Sequence, residues 1–171
     1  GTLEPRKNVP NLVRGWVKAV ADRPNPPALV LAGGKGWDED IDPALASVPK
    51  HLTVLRPGYL PLDDLPGFLS GCVILAYPSI AEGFGLPVLE AMSCGAATLT
   101  TRLTSLPEVG GDAVAYCDID PDSIASALTE LLDDPARRAA LGAAAIPRAD
   151  EFTWARAASV HIEAFRAAAR A

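Results

Sequence analysis

The sequence predicts one α/β domain built on a mainly parallel sheet, and three observations carry that reading. Short apolar bursts alternate with longer amphipathic stretches along the chain, the signature of strands and helices taking turns. The bursts are near-continuously apolar, as expected of strands covered on both faces. With 171 residues, 49% of them hydrophobic, the chain can build a single buried core.

Taken in order, residues 1–8 (GTLEPRKN) read as a strand-to-helix connection with no strand ahead of them, so a first strand is expected to lie before Gly1. Residues 8–22 place Leu12, Val13, Trp16, Val17 and Val20 at helical spacing, with Pro10 tolerated in the first turn. Five strands are expected over residues 28–34, 51–58, 72–79, 96–101 and 113–118. Helices should begin near Asp42-Pro43, near Leu62 to Asp64 and at Asp120-Pro121, where a carboxylate can cap free N–H groups. After Pro121 the chain reads as three helices punctuated at Asp134-Pro135 and Phe152-Thr153. The last is alanine-rich, with Val160, Ile162 and Phe165 as its larger apolar groups, a composition suited to close packing.

The chemistry concentrates in residues 78–95, PSIAEGFGLPVLEAMSCG. Glu82 falls just beyond the end of a strand, at the edge where open parallel sheets bind ligands. Gly83 and Gly85 lack a Cβ, so their backbone can take positive φ and bring N–H groups close to a ligand. Pro87 then opens a helix whose amino end, with its free N–H groups and partial positive charge, suits a phosphate. Glu90, one turn in, can reach a vicinal diol such as a ribose. Two glutamates alone fit exposed acids beside a turn; the glycines and the helix start between them favour a nucleotide diphospho-sugar, with Glu82 at the sugar and Glu90 at the ribose.

These residues, with SLPEVGGDAVAYCDIDP further on, resemble the nucleotide-binding half of retaining glycosyltransferases of the GT-B fold, family 4 (group 1). The resemblance runs from GTLEPRKN through LAGGKGW and RPGYLPLDDLPGFLSGC to FTW near the end. It implies a Rossmann-like doubly wound sheet over residues 1–171, with the amino-terminal acceptor-binding domain and the first strand lying outside them. It also implies that Glu82 contacts the donor sugar, with a nucleophilic role left open, and that Glu90 binds the ribose. The amides around Phe84, Gly85 and Leu86 would meet sugar and phosphate. A basic pair would hold the diphosphate, and Lys7 is its lysine. Many members carry arginine directly after the glycine matching Gly1; here Thr2 stands there, and the role passes to Arg6, whose guanidinium can bridge phosphate oxygens. Residues 5–8 (PRKN) would otherwise be a solvated basic loop. The loop through Tyr59 and Leu60 would help hold the nucleobase, unless Tyr59 packs into the domain, and Gly33 belongs to the same sheet edge.

The resemblance implies metal-independent transfer without a cofactor, the nucleotide sugar being substrate. The GTLEPRKN start is similar to bacterial mannosyltransferases of cell-surface polysaccharide synthesis, which makes GDP-mannose the first donor and a saccharide or lipid-linked molecule the acceptor. A cytoplasmic setting follows, with peripheral association of the parent protein at the inner membrane face. An inactive nucleotide-sugar-binding module is the alternative reading. A dinucleotide oxidoreductase would require a G-x-G-x-x-G turn after a first strand, and the start of the chain has none.

Other features point away from competing classes. A net charge of -6 argues against nucleic-acid binding through a broad basic surface. Cys72, Cys94 and Cys117 are odd in number and widely spaced, which suits neither a disulfide framework nor a zinc site. His51 and His161 lack neighbours at metal-ligand spacing. The acidic run WDEDIDP reads as capping and solvated residues, and Glu108 as a helix-start carboxylate. No apolar run approaches the roughly 18 to 20 residues that span a bilayer.

Overall fold

The computed structural model describes residues 1–170. A 3-10 turn at Pro5–Lys7 leads into α1 (Val9–Val20), followed by β1 (Leu29–Ala32), α2 (Ile41–Ala46), β2 (Val54–Gly58), α3 (Leu65–Ser70) and β3 (Leu75–Tyr77). The chain continues through α4 (Leu86–Ser93), β4 (Thr98–Thr101), α5 (Leu106–Gly110), β5 (Ala115–Cys117), α6 (Pro121–Asp133), α7 (Pro135–Ala149) and α8 (Trp154–Ala168). All five expected strands form, each inside the segment that predicted it.

Every strand pair is parallel, as the apolar bursts predict, but the strands form two sheets in place of one. β1 pairs with β2, aligning Leu29 with Val54 and Val30 with Leu55. β3, β4 and β5 form the second sheet, with Leu75 beside Thr98 and Leu99 beside Ala115. Between β1 and β3 runs a cleft of about 950 Å³ lined by residues of both strands, among them Leu31, Leu75 and Ala76.

The alternation of side chains divides the interior into two cores. Ala76, Leu99, Ala115 and Cys117 join the core made with α1 and α6, whose centre holds Val13, Trp16, Ile124, Leu128 and Leu131. Tyr77 and Tyr116, pointing the other way, pack on Val88, Met92, Leu106 and Val109 from α4 and α5 and on Ala145 from α7. Period-two alternation along the strands therefore places helices on both faces, which is the doubly wound arrangement. Burying each large apolar side chain contributes roughly 1.5–3 kcal/mol.

Four expectations need correction. β2 is not covered on both faces; Leu55 to Pro57 are exposed and Pro57 interrupts its donors, which a strand at the edge of a sheet tolerates. Of the predicted capping carboxylates, Asp120 accepts from the N–H groups of Asp122 and Ser123; Asp42 falls inside the first turn of α2, after the N-cap residue Asp40, and neither Asp40 nor Asp64 makes a side-chain cap. Both of the latter sit in helical backbone geometry, which turns the side chain away from the first turn. His51 lies in the turn before β2, its ring against the Ala21 carbonyl at 3.0 Å. Finally, α8 buries no residue, and Trp154 and Phe165 are 89% and 70% exposed; the close packing expected of this alanine-rich helix is not made among the described residues.

Candidate functional site

The turn Pro5–Lys7 and the loop after β3 meet at the carboxyl edge of the second sheet. The Ile80 N–H donates to the Arg6 carbonyl at 2.8 Å, and the Arg6 guanidinium donates to the Ala81 carbonyl at 3.2 Å. These bonds bring together Glu82, Arg6 and Lys7, more than 70 residues apart in sequence. The Glu82 side chain is only 7% exposed, and its two oxygens are divided among three donors. Lys7 Nζ and the Tyr77 hydroxyl both donate to Oε1 at 2.7 Å, and Arg6 donates to Oε2. Arg6 also pairs with Glu4 at 2.6 Å, and Lys7 donates to the Tyr77 oxygen and lies 4.6 Å from that ring's centre.

Burial of Glu82 pushes its carboxyl pKa up, but hydrogen bonds from Lys7, Tyr77 and Arg6, with the Ser79 hydroxyl nearby, outweigh that and hold it below the ordinary value. Burial, together with the hydrogen bond to Glu82, pushes the Tyr77 hydroxyl well above its ordinary value, so it stays a neutral donor. The resemblance assigns Arg6 and Lys7 to a diphosphate; in this structure each is also engaged by Glu82, because a carboxylate leaving water needs compensating charge.

The Glu82 backbone is held as well. Its N–H donates to Thr104 Oγ1 at 3.0 Å and its carbonyl accepts from Ser105 Oγ at 3.1 Å. Thr104 takes φ 51°, uncommon for a threonine. Tyr77, Thr104 and Ser105 are site residues that sequence reasoning missed. For the last two the signal available was the adjacent hydroxyl pair Thr104-Ser105, shortly after the end of β4.

Beyond Glu82 the glycine loop turns into α4. Gly85 caps that helix at φ 97°, and a Cβ there would come within 2.7 Å of Leu106 Cδ2, so the positive-φ expectation holds at this residue. At Gly83 it does not: the backbone stays out of that region and the loop is open around it. The N–H groups of Phe84, Gly85 and Leu86 have no hydrogen-bond acceptor in the backbone among the described residues, leaving donors at the start of α4. Phe84 itself packs edge-on against Phe152 at 5.9 Å.

The remaining predicted residues gather around the mouth of the cleft, whose lining includes Lys7, Gly33, Tyr59, Leu60, Pro87 and Glu90. Lys7 is the link, since it borders the cleft and holds Glu82. Glu90 lies on α4 without an ion pair among the described residues, and Tyr59 projects into solvent instead of packing into the domain. Glu108 stands in the first turn of α5, the helix-start position expected of it.

Comparison with known proteins places this geometry. A family model described as glycosyl transferases group 1 matches residues 1–148. The chain is 36% identical over 168 residues to an O-antigen chain mannosyltransferase B of Escherichia coli, covering 97% of this chain and 44% of that protein. It is 30% identical over 162 residues to a GDP-mannose-dependent monoacylated alpha-(1-6)-phosphatidylinositol monomannoside mannosyltransferase of Corynebacterium glutamicum, covering 89% of this chain and 42% of that one. The chain thus spans less than half the length of these relatives. Its fold matches the crystal structure of Anabaena Alr3699/HepE in complex with UDP and glucose, with TM-score 0.77 at 19% identity over 88% of this chain and 42% of that one. The parallel α/β architecture, the doubly wound helices and the sequence relationship agree, and the chain belongs to the group 1 glycosyltransferases.

Proposed function

We propose that this chain is the donor-binding domain of a retaining glycosyltransferase that takes a sugar from a nucleotide diphosphate, GDP-mannose first among the donors, for a saccharide or lipid-linked acceptor. The observation that carries the proposal is the meeting of Arg6, Lys7 and Glu82 at the sheet edge beside the unpaired amides that start α4. Two cations and free N–H groups suit a diphosphate. Glu82 is then positioned for the sugar and Glu90, across the cleft mouth, for the ribose. The donor guess is supported by relatives named as mannosyltransferases, one of them GDP-mannose-dependent.

In the transfer, the bond from the anomeric carbon to the diphosphate oxygen breaks, a bond to the acceptor oxygen forms on the same face of the sugar, and the acceptor hydroxyl's proton passes to the departing diphosphate. Negative charge grows on the departing diphosphate, where Arg6, Lys7 and the amides of Phe84, Gly85 and Leu86 stabilise it electrostatically. No metal is needed for that role in this reading. The acceptor is held by a second domain, in keeping with relatives more than twice as long as this chain. That parent protein works on the cytoplasmic side, peripherally at the membrane; no helix among the described residues is long and apolar enough to cross one.

The cleft between β1 and β3 belongs to the same proposal. The Gly1 nitrogen donates to the Ala32 carbonyl and the Leu3 N–H to the Gly34 carbonyl, both at 3.1 Å, so residues 1–3 already run along the free side of β1. An apolar strand leading into Gly1 would pair with β1 and β3 together and join the two sheets into one.

Calorimetric titration of GDP, UDP, GDP-mannose and UDP-glucose tests the site. GDP and GDP-mannose should bind, and Glu90→Ala should weaken GDP by roughly tenfold or more, the equivalent of hydrogen bonds to a charged group. Absence of binding by every nucleotide would sink the proposal. In the full-length parent, Glu82→Ala should depress kcat, and the product should keep the anomeric configuration of the donor.

A further inference from the structure

Ser79 sits in the loop between β3 and Glu82 and is fully buried, yet its hydroxyl has no hydrogen-bond partner among the described residues. A buried hydroxyl left unsatisfied is costly and calls for an explanation. It lies close enough to Tyr77 and Glu82 to affect the ionisation of both, though outside hydrogen-bonding geometry. Its backbone is held fast, the carbonyl accepting from Thr101 Oγ1 at 2.7 Å.

The neighbourhood supplies the explanation. Glu82 presently takes Arg6 and Lys7 as its counter-charges, and Glu4 competes for Arg6. A diphosphate at the start of α4 claims the same two cations. Thr104 and Ser105 hold the Glu82 backbone at both N–H and carbonyl, so the carboxylate has only its own side-chain torsions with which to follow them. It must then keep its charge with neutral donors, and the hydroxyls beside it are those of Tyr77 and Ser79. Tyr77 already donates to Oε1 at 2.7 Å, whereas the Ser79 hydroxyl, three residues before Glu82, is buried and still without a partner.

We propose that Tyr77 and Ser79 are positioning residues for Glu82: when a nucleoside diphosphate takes Arg6 and Lys7, the two hydroxyls hold the carboxylate in their place. This rests on the donor-binding reading of the site. It assigns the unpaired Ser79 hydroxyl to the liganded state, in which Glu82 trades ion pairs for hydrogen bonds without picking up a proton.

The test is calorimetric titration of GDP and UDP into the wild-type chain, Tyr77→Phe and Ser79→Ala, each in two buffers of different ionisation enthalpy at a pH where the nucleotides are fully ionised. Wild type should bind with no net proton uptake. Each variant should bind about tenfold more weakly and take up a fraction of a proton, because Glu82 is left without enough donors. Ser79→Ala should also melt no lower than wild type without nucleotide, since it removes an unpaired buried group; a merely structural serine would lose stability and affinity together. In a Glu82→Gln background both substitutions should become nearly silent toward nucleotide. Unchanged affinity and proton inventory in both variants would overturn the proposal while leaving the nucleotide site standing. Failure of the wild type to bind either nucleotide would overturn both.

Discussion

Glu82 gathers most of the site's chemistry, and its environment makes a pH dependence calculable in sign. Burial raises its pKa, but the donors Lys7, Tyr77 and Arg6 and the neighbouring Ser79 hydroxyl bring the balance below the ordinary 4.5. A folded-state pKa below the unfolded one contributes stability that is present above about 4.5 and is lost as pH falls through the folded value. The melting temperature of wild type should therefore exceed that of Glu82→Gln at neutral pH, with the gap closing below about pH 4.5 as the wild-type carboxyl takes up its proton. A gap independent of pH would mean that the ion pairs with Arg6 and Lys7 contribute nothing. At this scale the sequence was partly legible. Glu82, Glu90 and the glycine loop lie within one continuous segment, so local spacing exposes them. Tyr77 reads from sequence as a strand aromatic, and only the fold brings Lys7 to its hydroxyl.

Among the helices, α1 and α6 make the most extensive pairing, and it depends on Gly15. A Cβ at that position would lie 2.7 Å from Ile124 Cγ2 and 2.9 Å from the Pro121 carbonyl oxygen. A side-chain methyl can yield, but the backbone carbonyl at the start of α6 cannot without shifting the helix. Gly15→Ala should destabilise the domain by about 1–3 kcal/mol despite alanine's better helix propensity, read as a lower denaturant midpoint with unchanged slope. Stability equal to wild type would show that the helices separate freely. The helical periodicity of Leu12, Val13, Trp16 and Val20 announced a core face, and all four are buried in the α1–α6 core. Nothing in the sequence identified Gly15 as the contact point, because the approach of α6 is a tertiary fact. The strands show the same division: their positions follow from apolar runs, while the exposure of β2 depends on having no strand outside it among the described residues.

At the scale of the molecule, the divided sheet is the feature with the largest consequence. Parallel strands carry unpaired N–H and C=O groups along the facing edges of β1 and β3, and such edges seek a partner. Extending the chain before Gly1 with about five or six β-branched residues, a typical strand length, should raise the melting temperature above that of an equal glycine-serine extension. Equal melting of the two would remove the proposed strand. If the apolar extension instead drives dimerisation, the cleft accepts a second copy in preference to its own chain.

What the sequence by itself determined is the local alphabet: where strands and helices lie, that the strands run parallel, and that residues 82–90 combine carboxylates, glycines and a helix start. Each of these follows from periodicity, turn chemistry and capping, which act over a few residues. Only the tertiary structure decided that Arg6 and Lys7 share Glu82 with Tyr77, that Thr104 and Ser105 fix its backbone, that Ser79 is buried without a bond, and that the strands divide around a cleft. Apart from the Tyr77 bond, the contacts to Glu82 join residues more than 20 and up to 76 positions apart, and their cause is the burial of charge. Once a carboxylate leaves water, it takes whichever donors the fold brings to it, and sequence spacing carries no record of which those are.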